Sequence, residues 1–353
     1  MATAAPPRAT GIRVRAYDDS LRSYWDAYVY HHPHGSLFHL TAWKRSIERM
    51  FRFESRYLVL EDGQEIRGVL PLFLTKNCIQ GRALISVPFG VYGGICADNE
   101  EAAGLLRMEA CDLARKENVQ YLELREQRST DYPGFLTKHL YVSFDRELPS
   151  DAGELLKSFP RDTRYMIRKA EKNGLRAIVG NDQIDVLYEV YADSVRRLGT
   201  PVFSRDYFRI LREEFGASCE ITTIWHQNRA VAGVMSFRFR DWVLPYYGGS
   251  LFEARQLAAN NFLYWEVMRR AAASGVRYYD FGRSKVATGA FAFKTQWNMR
   301  ERPLPYQFYL VRRKSMPNFS PVNPKFRLGV SLWKRMPLAM TKAIGPAMVR
   351  LFP

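Results

Sequence analysis

Residues 278–298 read YYDFGRSKVATGAFAFKTQWN, a run in which groups able to do chemistry lie unusually close together. An apolar, strand-like start carries one carboxylate, Asp280. A glycine turn at Gly282 follows, then the cations Arg283 and Lys285, and finally Lys294 and Trp297. A carboxylate at the end of an apolar strand, followed by glycine, is how an α/β fold presents a polar group at a loop mouth. Lys294 and Trp297 return a cation and an indole on an element too short and too punctuated for an ordinary amphipathic helix. The stretch is therefore read as one wall of a substrate site. A second candidate is the segment 154–173, where Arg161, Arg164, Arg168, Lys169 and Lys172 stand against Asp162 and Glu171. At helical spacing these cations form either a solvated face or a site for phosphate or carboxylate groups.

The elements that must position these groups can be read from the same letters. One helix is expected over 154–173, with Gly174 as its C-cap, and another over 257–274, with Asn260 and Asn261 available to cap its first turn or meet a ligand. Strands are expected over 242–247 and 278–281. The chain also repeats itself. Tyr92-Gly93-Gly94 returns as Tyr247-Gly248-Gly249, a helix follows each, and Tyr121-Leu122-Glu123-Leu124 returns as Tyr278-Tyr279-Asp280-Phe281. Spacings of 155 and 157 residues mean a domain-scale duplication rather than a solenoid.

Length and composition bound the function. A chain of 353 residues favours two domains. Its net charge of +16 implies an anionic partner: a phosphate-bearing substrate, RNA or acidic lipid. Cys78, Cys96, Cys111 and Cys219 lack CxxC spacing and read as reduced thiols. His31, His32 and His34 sit in a Pro-Gly turn with no nearby acid or cysteine in sequence, so no metal site is expected. With no signal-peptide run and no membrane-length apolar stretch, a cytoplasmic protein is expected. The loops of P-loop nucleotide hydrolases, dinucleotide-binding folds, HExxH proteases and GxSxG hydrolases are missing, and Asp280-Phe281-Gly282 matches the kinase triplet without its partner motifs. From residue 314 onward there are seven Lys/Arg and no Asp or Glu, interleaved with Phe326, Leu328, Val330, Leu332, Trp333, Met336 and Leu338. That tail suits either an interfacial helix on anionic lipid or packing against the body.

Several segments together resemble a known group: LFHLTAW (37–43), PFGVYGG (88–94), TRYMIRKAEKNGL (163–175), VAGVMSF (231–237), YDFGRS (279–284) and FKTQWN (293–298). They are similar to the FemAB-like, BioF2-like acetyltransferase-domain proteins of the Gcn5-related N-acyltransferase (GNAT) superfamily, particularly those associated with exosortase (PEP-CTERM) and exopolysaccharide systems. The resemblance implies an α/β (α+β) fold of tandem GNAT-like domains with mixed, largely antiparallel sheets flanked by helices. The expected division is a first lobe over 1–150, a second lobe over 151–313 and a basic amphipathic tail over 314–353.

It further implies acyl transfer onto an amine of a cell-envelope or exopolysaccharide precursor. The donor would be acyl-CoA or an aminoacyl-tRNA, with no permanently bound cofactor. By this resemblance Asp280, Tyr246 and Tyr247 are the candidate catalytic residues. Arg164, Arg168, Lys169, Arg283, Ser284, Lys294, Trp297, His39 and Trp43 are candidate substrate contacts. Expected partners are an anionic small molecule or glycolipid precursor, a charged tRNA, and an anionic membrane surface met peripherally through the tail. A glycolipid-binding module without catalysis is the reading from a different class. In one place the chain departs from the pattern: where GNAT enzymes carry a glycine-containing [RQ]xxGx[GA] loop for the CoA pyrophosphate, it reads FEARQLAANNF (252–262), with no glycine.

Overall fold

The computed structural model describes residues 11–128, 132–317 and 324–353. The leader 1–10 and part of the expected tail, 318–323, lie outside the described residues. In chain order the elements are β1 (Ile12–Ala16), α1 (Arg22–His31), α2 (Thr41–Phe51), β2 (Glu54–Ser55), β3 (Leu58–Asp62), β4 (Glu65–Leu70), β5 (Phe73–Asn77), β6 (Gly81–Ile85), β7 (Cys96–Ala97), α3 (Glu100–Lys116), β8 (Tyr121–Arg125) and β9 (Leu136–Glu147). They continue as α4 (Ala152–Lys157), α5 (Arg161–Lys172), β10 (Arg176–Val179), α6 (Ile184–Leu198), α7 (Arg205–Phe215), β11 (Cys219–His226), β12 (Arg229–Phe239), β13 (Trp242–Ser250), α8 (Ala259–Ala273), β14 (Tyr278–Lys285), α9 (Gly289–Thr295), β15 (Arg300–Leu310), α10 (Pro324–Arg335) and α11 (Leu338–Val349).

Two compact units emerge, and their boundaries differ from the expected 1–150, 151–313 and 314–353. One unit is Met1–Lys138 with Pro305–Met316; the other is His139–Leu304 with Pro317–Pro353. Both divisions fall inside strands, because most of β9 pairs with β14 while the end of β15 pairs with β8. A tertiary strand partner, invisible in local sequence, decides which unit a segment joins.

In the first unit, β1, β3, β4 and β7 form an antiparallel sheet. A second set of strands runs β15, β8, β6, β5, β2. Leu106, Ala110 and Ala114 of α3 bury against Leu58, Leu60, Leu84, Leu122 and Leu124, one apolar helical stripe closing over strand faces. Asn99 starts α3, its side chain accepting the Ala102 N–H at 2.9 Å.

The second unit orders its strands β10, β11, β12, β13, β14, β9, antiparallel except for β13 with β14. Helix α6 packs on β12 and β13, and α8 packs on β11, β12 and β13 with α5 against it. The single helix expected over 154–173 is two helices, α4 and α5. Pro160 sits between them, and the residue before a proline is pushed out of helical conformation. At its far end Gly174 takes φ 72 just past α5, as a helix stop requires. The repeat read in the sequence corresponds to one topology used twice, in which a helix (α3 or α8) leads into a strand (β8 or β14) that lies parallel to an earlier strand of its own unit (β6 or β13).

Candidate functional site

Strands β13 and β14 pair at Trp242↔Tyr278 and Val243↔Tyr279 and no further. Beyond that point β13 runs to Ser250 against β12, and β14 runs to Lys285 against β9. The two parallel strands therefore part and leave a fork. A helix that links parallel strands starts at the C-terminal end of the first one, so α8 begins at the open end of the fork.

That start has an unusual form. Ala258, the residue before α8, takes φ 59 in the left-handed region, and no side chain caps the helix. Asn260 and Asn261 thus do not cap α8, contrary to one sequence expectation. The first-turn N–H groups of α8 thus have no side-chain cap, and no acid stands in that turn. No glycine stands in 252–262, yet the backbone takes a left-handed step there, at an alanine. Sequence gave no signal for this, since alanine seldom adopts positive φ.

On its arm of the fork, β14 carries a bulge. Asp280 opposes Asp145 and Arg283 opposes Ser143, with the register slipping between them, and Gly282 takes φ 71. Asp280 is fully buried, and its Oδ1 accepts the Gly282 N–H at 2.7 Å and the Ser143 hydroxyl at 2.8 Å. Expected at a loop mouth, Asp280 lies inside the strand and fastens the bulge. Ser143, missed in the sequence, supplies half of that fastening.

Thr288 caps α9 by accepting the Phe291 N–H at 3.3 Å while donating to the Lys285 carbonyl at 2.7 Å. The helix then carries Lys294 back over the bulge. The Lys294 stem is partly exposed, but its amine reaches inward and donates to the carbonyls of Gly282 at 2.9 Å and Arg283 at 3.2 Å. It also lies 5.2 Å from the Phe281 ring centroid. Burial pulls the Lys294 pKa down to about 7; Asp280 opposes that shift and Arg283 adds to it. An amine poised near neutrality can take up and release a proton under working conditions. Two more candidates border it. The Arg283 guanidinium lies over the Tyr141 ring at 4.6 Å, and Ser284 is buried with a hydroxyl that finds no hydrogen-bond partner among the described residues.

Other candidates lie elsewhere. Trp297 is fully buried, edge-on to Phe159 at 5.2 Å and Phe281 at 5.9 Å, so it is core and not a substrate contact. Trp43 is likewise fully buried, edge-on to Phe38 at 4.9 Å. Tyr247 sits among Tyr191, Phe203, Tyr207 and Phe208, its hydroxyl 3.0 Å from that of Tyr207. Burial holds its phenol well above the usual range, which leaves it a poor base. Tyr246 is half-buried, edge-on to Tyr247 at 4.7 Å. Arg164 donates to the carbonyls of Lys157 and Phe159 at 3.0 and 3.2 Å, capping α4 rather than awaiting an anion. Arg168 is exposed on α5 and Lys169 is half-buried beside it. Thr163 of the same helix donates to the Gln296 carbonyl at 2.6 Å, which pins α5 to the end of α9.

The first unit repeats the fork with the opposite electrostatics. Strands β6 and β8 pair in parallel at Leu84↔Leu122 and Ile85↔Glu123 before the chain turns away through 88–94. A cavity of about 220 Å3 opens there, lined by His39, Gly94, Asn99, Glu100 and Glu126 among others. The Ser36 N–H donates to His39 Nδ1 at 3.2 Å, so Nε2 carries the proton and donates to the Gly94 carbonyl at 3.0 Å. His39 is thereby a brace in the cavity wall. Burial pushes the Glu126 carboxyl up to about 7. Helix α3 begins with its own Asn99 cap and with Glu100 and Glu101 in its first turn. That end repels phosphate, whereas the start of α8 carries no acid.

Residues 157–295, which span α5 through α9, match the sequence model described as Acetyltransferase (GNAT) domain. The chain carries a GNAT domain. It is an acyltransferase, and the fork, the start of α8 and Lys294 all lie within the matched segment. No curated protein matches the chain. Among solved structures, FemX superposes with a TM-score of 0.68 at 17% identity, covering 85% of this chain and 98% of its own. A tandem GNAT protein from the clavulanic acid biosynthesis pathway gives 0.53 at 12% identity, covering 87% and 100%. The C-terminal domain of a putative lysylphosphatidylglycerol synthetase from Agrobacterium fabrum gives 0.54 at 15% identity, covering 76% and 88%. At these identities the likeness is one of fold, and the tandem GNAT architecture expected from the sequence is the one observed.

Proposed function

We propose that the second unit transfers an acyl group from acyl-CoA to an amine of a cell-envelope or exopolysaccharide precursor. The observation that carries this is the uncapped, acid-free start of α8, with left-handed Ala258, beyond the end of the β13–β14 pairing. Bare N–H groups and the helix dipole suit a pyrophosphate, and the separated strand edges suit the amide-bearing arm of such a donor. The acceptor nitrogen attacks the thioester carbonyl carbon, the C–S bond breaks and an amide forms. Lys294 in its neutral form takes the proton lost by the acceptor, and its ammonium form returns one to the departing thiolate. Asp280 and Gly282 position the carbonyls on which Lys294 rests.

Aminoacyl-tRNA is the second reading for the donor, supported by the exposed cations Arg161, Arg168 and Lys172 along α5. Titration of the purified protein with acetyl-CoA, longer acyl-CoAs and a charged tRNA separates them. Saturable acyl-CoA binding displaced by free CoA is expected. Saturable binding of charged tRNA alone would transfer the donor assignment, and binding of none would leave a glycolipid-recognition module without catalysis.

A further inference from the structure

We infer that α10 and α11 form a docking surface for a bilayer rich in anionic phospholipid, a property separate from the transfer chemistry above. One face of each helix is held to the body. Val330 closes on Gly199, where an added Cβ would lie 2.5 Å from Val330 Cγ1. Trp333 is buried and its indole donates to the Thr200 carbonyl at 3.0 Å. On α11, Thr341, Gly345 and Val349 are buried, with the Gly345 backbone tight against Val202. The Lys342 ammonium pairs with Glu189 of α6.

These anchors fix what the opposite faces show. Leu328 and Leu332, one turn apart on α10, are 84% and 64% exposed; Met340 and Ile344, one turn apart on α11, are 51% and 42% exposed. Ala339, Ala343 and Ala347 complete an outward face of α11 that bears no charged residue. Monomeric proteins in water seldom leave helical rows of this kind uncovered.

Charge selects the occupant. Arg327, Lys334 and Arg335 are exposed beside the α10 row, and residues 314–353 contain no Asp or Glu. In a symmetric pairing of two copies, each face would meet the same cations with no acid of the tail to neutralise them. An anionic bilayer accepts both parts of the pattern, with apolar side chains entering the acyl boundary and cations meeting headgroups. The anchored Trp333 and Thr341 faces keep the helices from rolling inward when no membrane is present.

The test is co-sedimentation of the full chain with phosphatidylcholine vesicles with and without phosphatidylglycerol, at low and high salt. Binding that needs the anionic lipid and weakens with salt is expected. The double variant Leu332→Asp/Met340→Asp should lose binding by roughly tenfold or more, as should Arg327→Gln/Arg335→Gln, whose residual binding should depend less on salt. All four positions are exposed except for their helical backbone, and unchanged thermal midpoints confirm that the variants fold. Failure of the wild type to bind, or equal binding by both variants, overturns the proposal. So does a stable dimer in light scattering that Leu332→Asp/Met340→Asp dissolves, because a second copy would then be the cover. Vesicle binding is read without turnover, so either result leaves the donor assignment where it stood.

Discussion

In the mechanism proposed above, Lys294 is the residue on which the chemistry turns. Replacing it with Met should lower kcat by about a hundredfold or more, the usual loss when a positioned acid–base group is removed, with donor affinity little changed. The wild-type rate should rise with pH through about 7 as the ammonium loses its proton, and Lys294→Met should lack that limb. Stability gives an independent reading of the same group. A lysine lowered from 10.5 to about 7 on folding is penalised for its charge below pH 7, and the penalty lifts as pH rises from about 7 toward 10.5. Unfolding of Lys294→Met by denaturant should therefore show a flatter pH dependence across that window. Glu126 has the opposite sign: raised from 4.5 to about 7 by burial, it costs stability increasingly as pH climbs between those values. Glu126→Gln should be the more stable protein at pH 8 and should lose that decline. For Asp280, truncation to Ala leaves the Ser143 hydroxyl and the Gly282 N–H buried without their acceptor, a loss of about 2 kcal/mol in chemical denaturation. The sequence placed Asp280 and Lys294 in one short segment read as a wall of a substrate site. It could not show that Asp280 is sunk and that the Lys294 amine rests on the Gly282 and Arg283 carbonyls, because the bulge behind both depends on pairing with β9.

At the scale of elements, the start of α8 makes the sharpest prediction. Asn260→Asp places a carboxylate in the first turn, where the helix dipole favours it, yet the same charge opposes a donor phosphate. The variant should be as stable as the parent or slightly more so while binding acyl-CoA about tenfold more weakly, as calorimetry would show. A donor held elsewhere would bind equally well. Gly282→Ala tests the bulge: nothing lies within 4 Å of the added carbon, so its cost of roughly 1–2 kcal/mol would come from φ 71 alone. Element type was largely legible in the letters. The helices after each Tyr-Gly-Gly, the paired strands and the stop at Gly174 follow from apolar period and turn chemistry. Two things were not. Pro160 divided one expected helix because its local rule outweighs the periodicity around it. Trp43 and Trp297 looked like ligand platforms only because an indole offers the same surface to a core as to a substrate; burial alone distinguishes the two.

Across the whole molecule, the four cysteines offer a check on packing. None is in a disulfide among the described residues; Cys96, Cys111 and Cys219 are buried and Cys78 is exposed. Burial lifts the Cys111 and Cys219 thiols to about 11 and about 12. A thiol reagent should therefore titrate Cys78 quickly in the native protein and the other three only after unfolding; fast reaction at Cys219 would contradict the burial of the β11 start. The duplication was visible in the sequence at two pairs of matched segments, but the unit boundaries were not, since they are set by the partners that β9 and β15 find. One consequence concerns how the protein is made. The first unit is completed by Pro305–Met316, so when a ribosome has delivered everything up to Leu304, strand β8 still lacks Tyr306–Leu310 along one side. The second unit has most of its chain by then. The later-coded unit can thus settle before the earlier one is finished, and a nascent chain stalled near residue 304 carries an open strand edge, the kind that other chains add to.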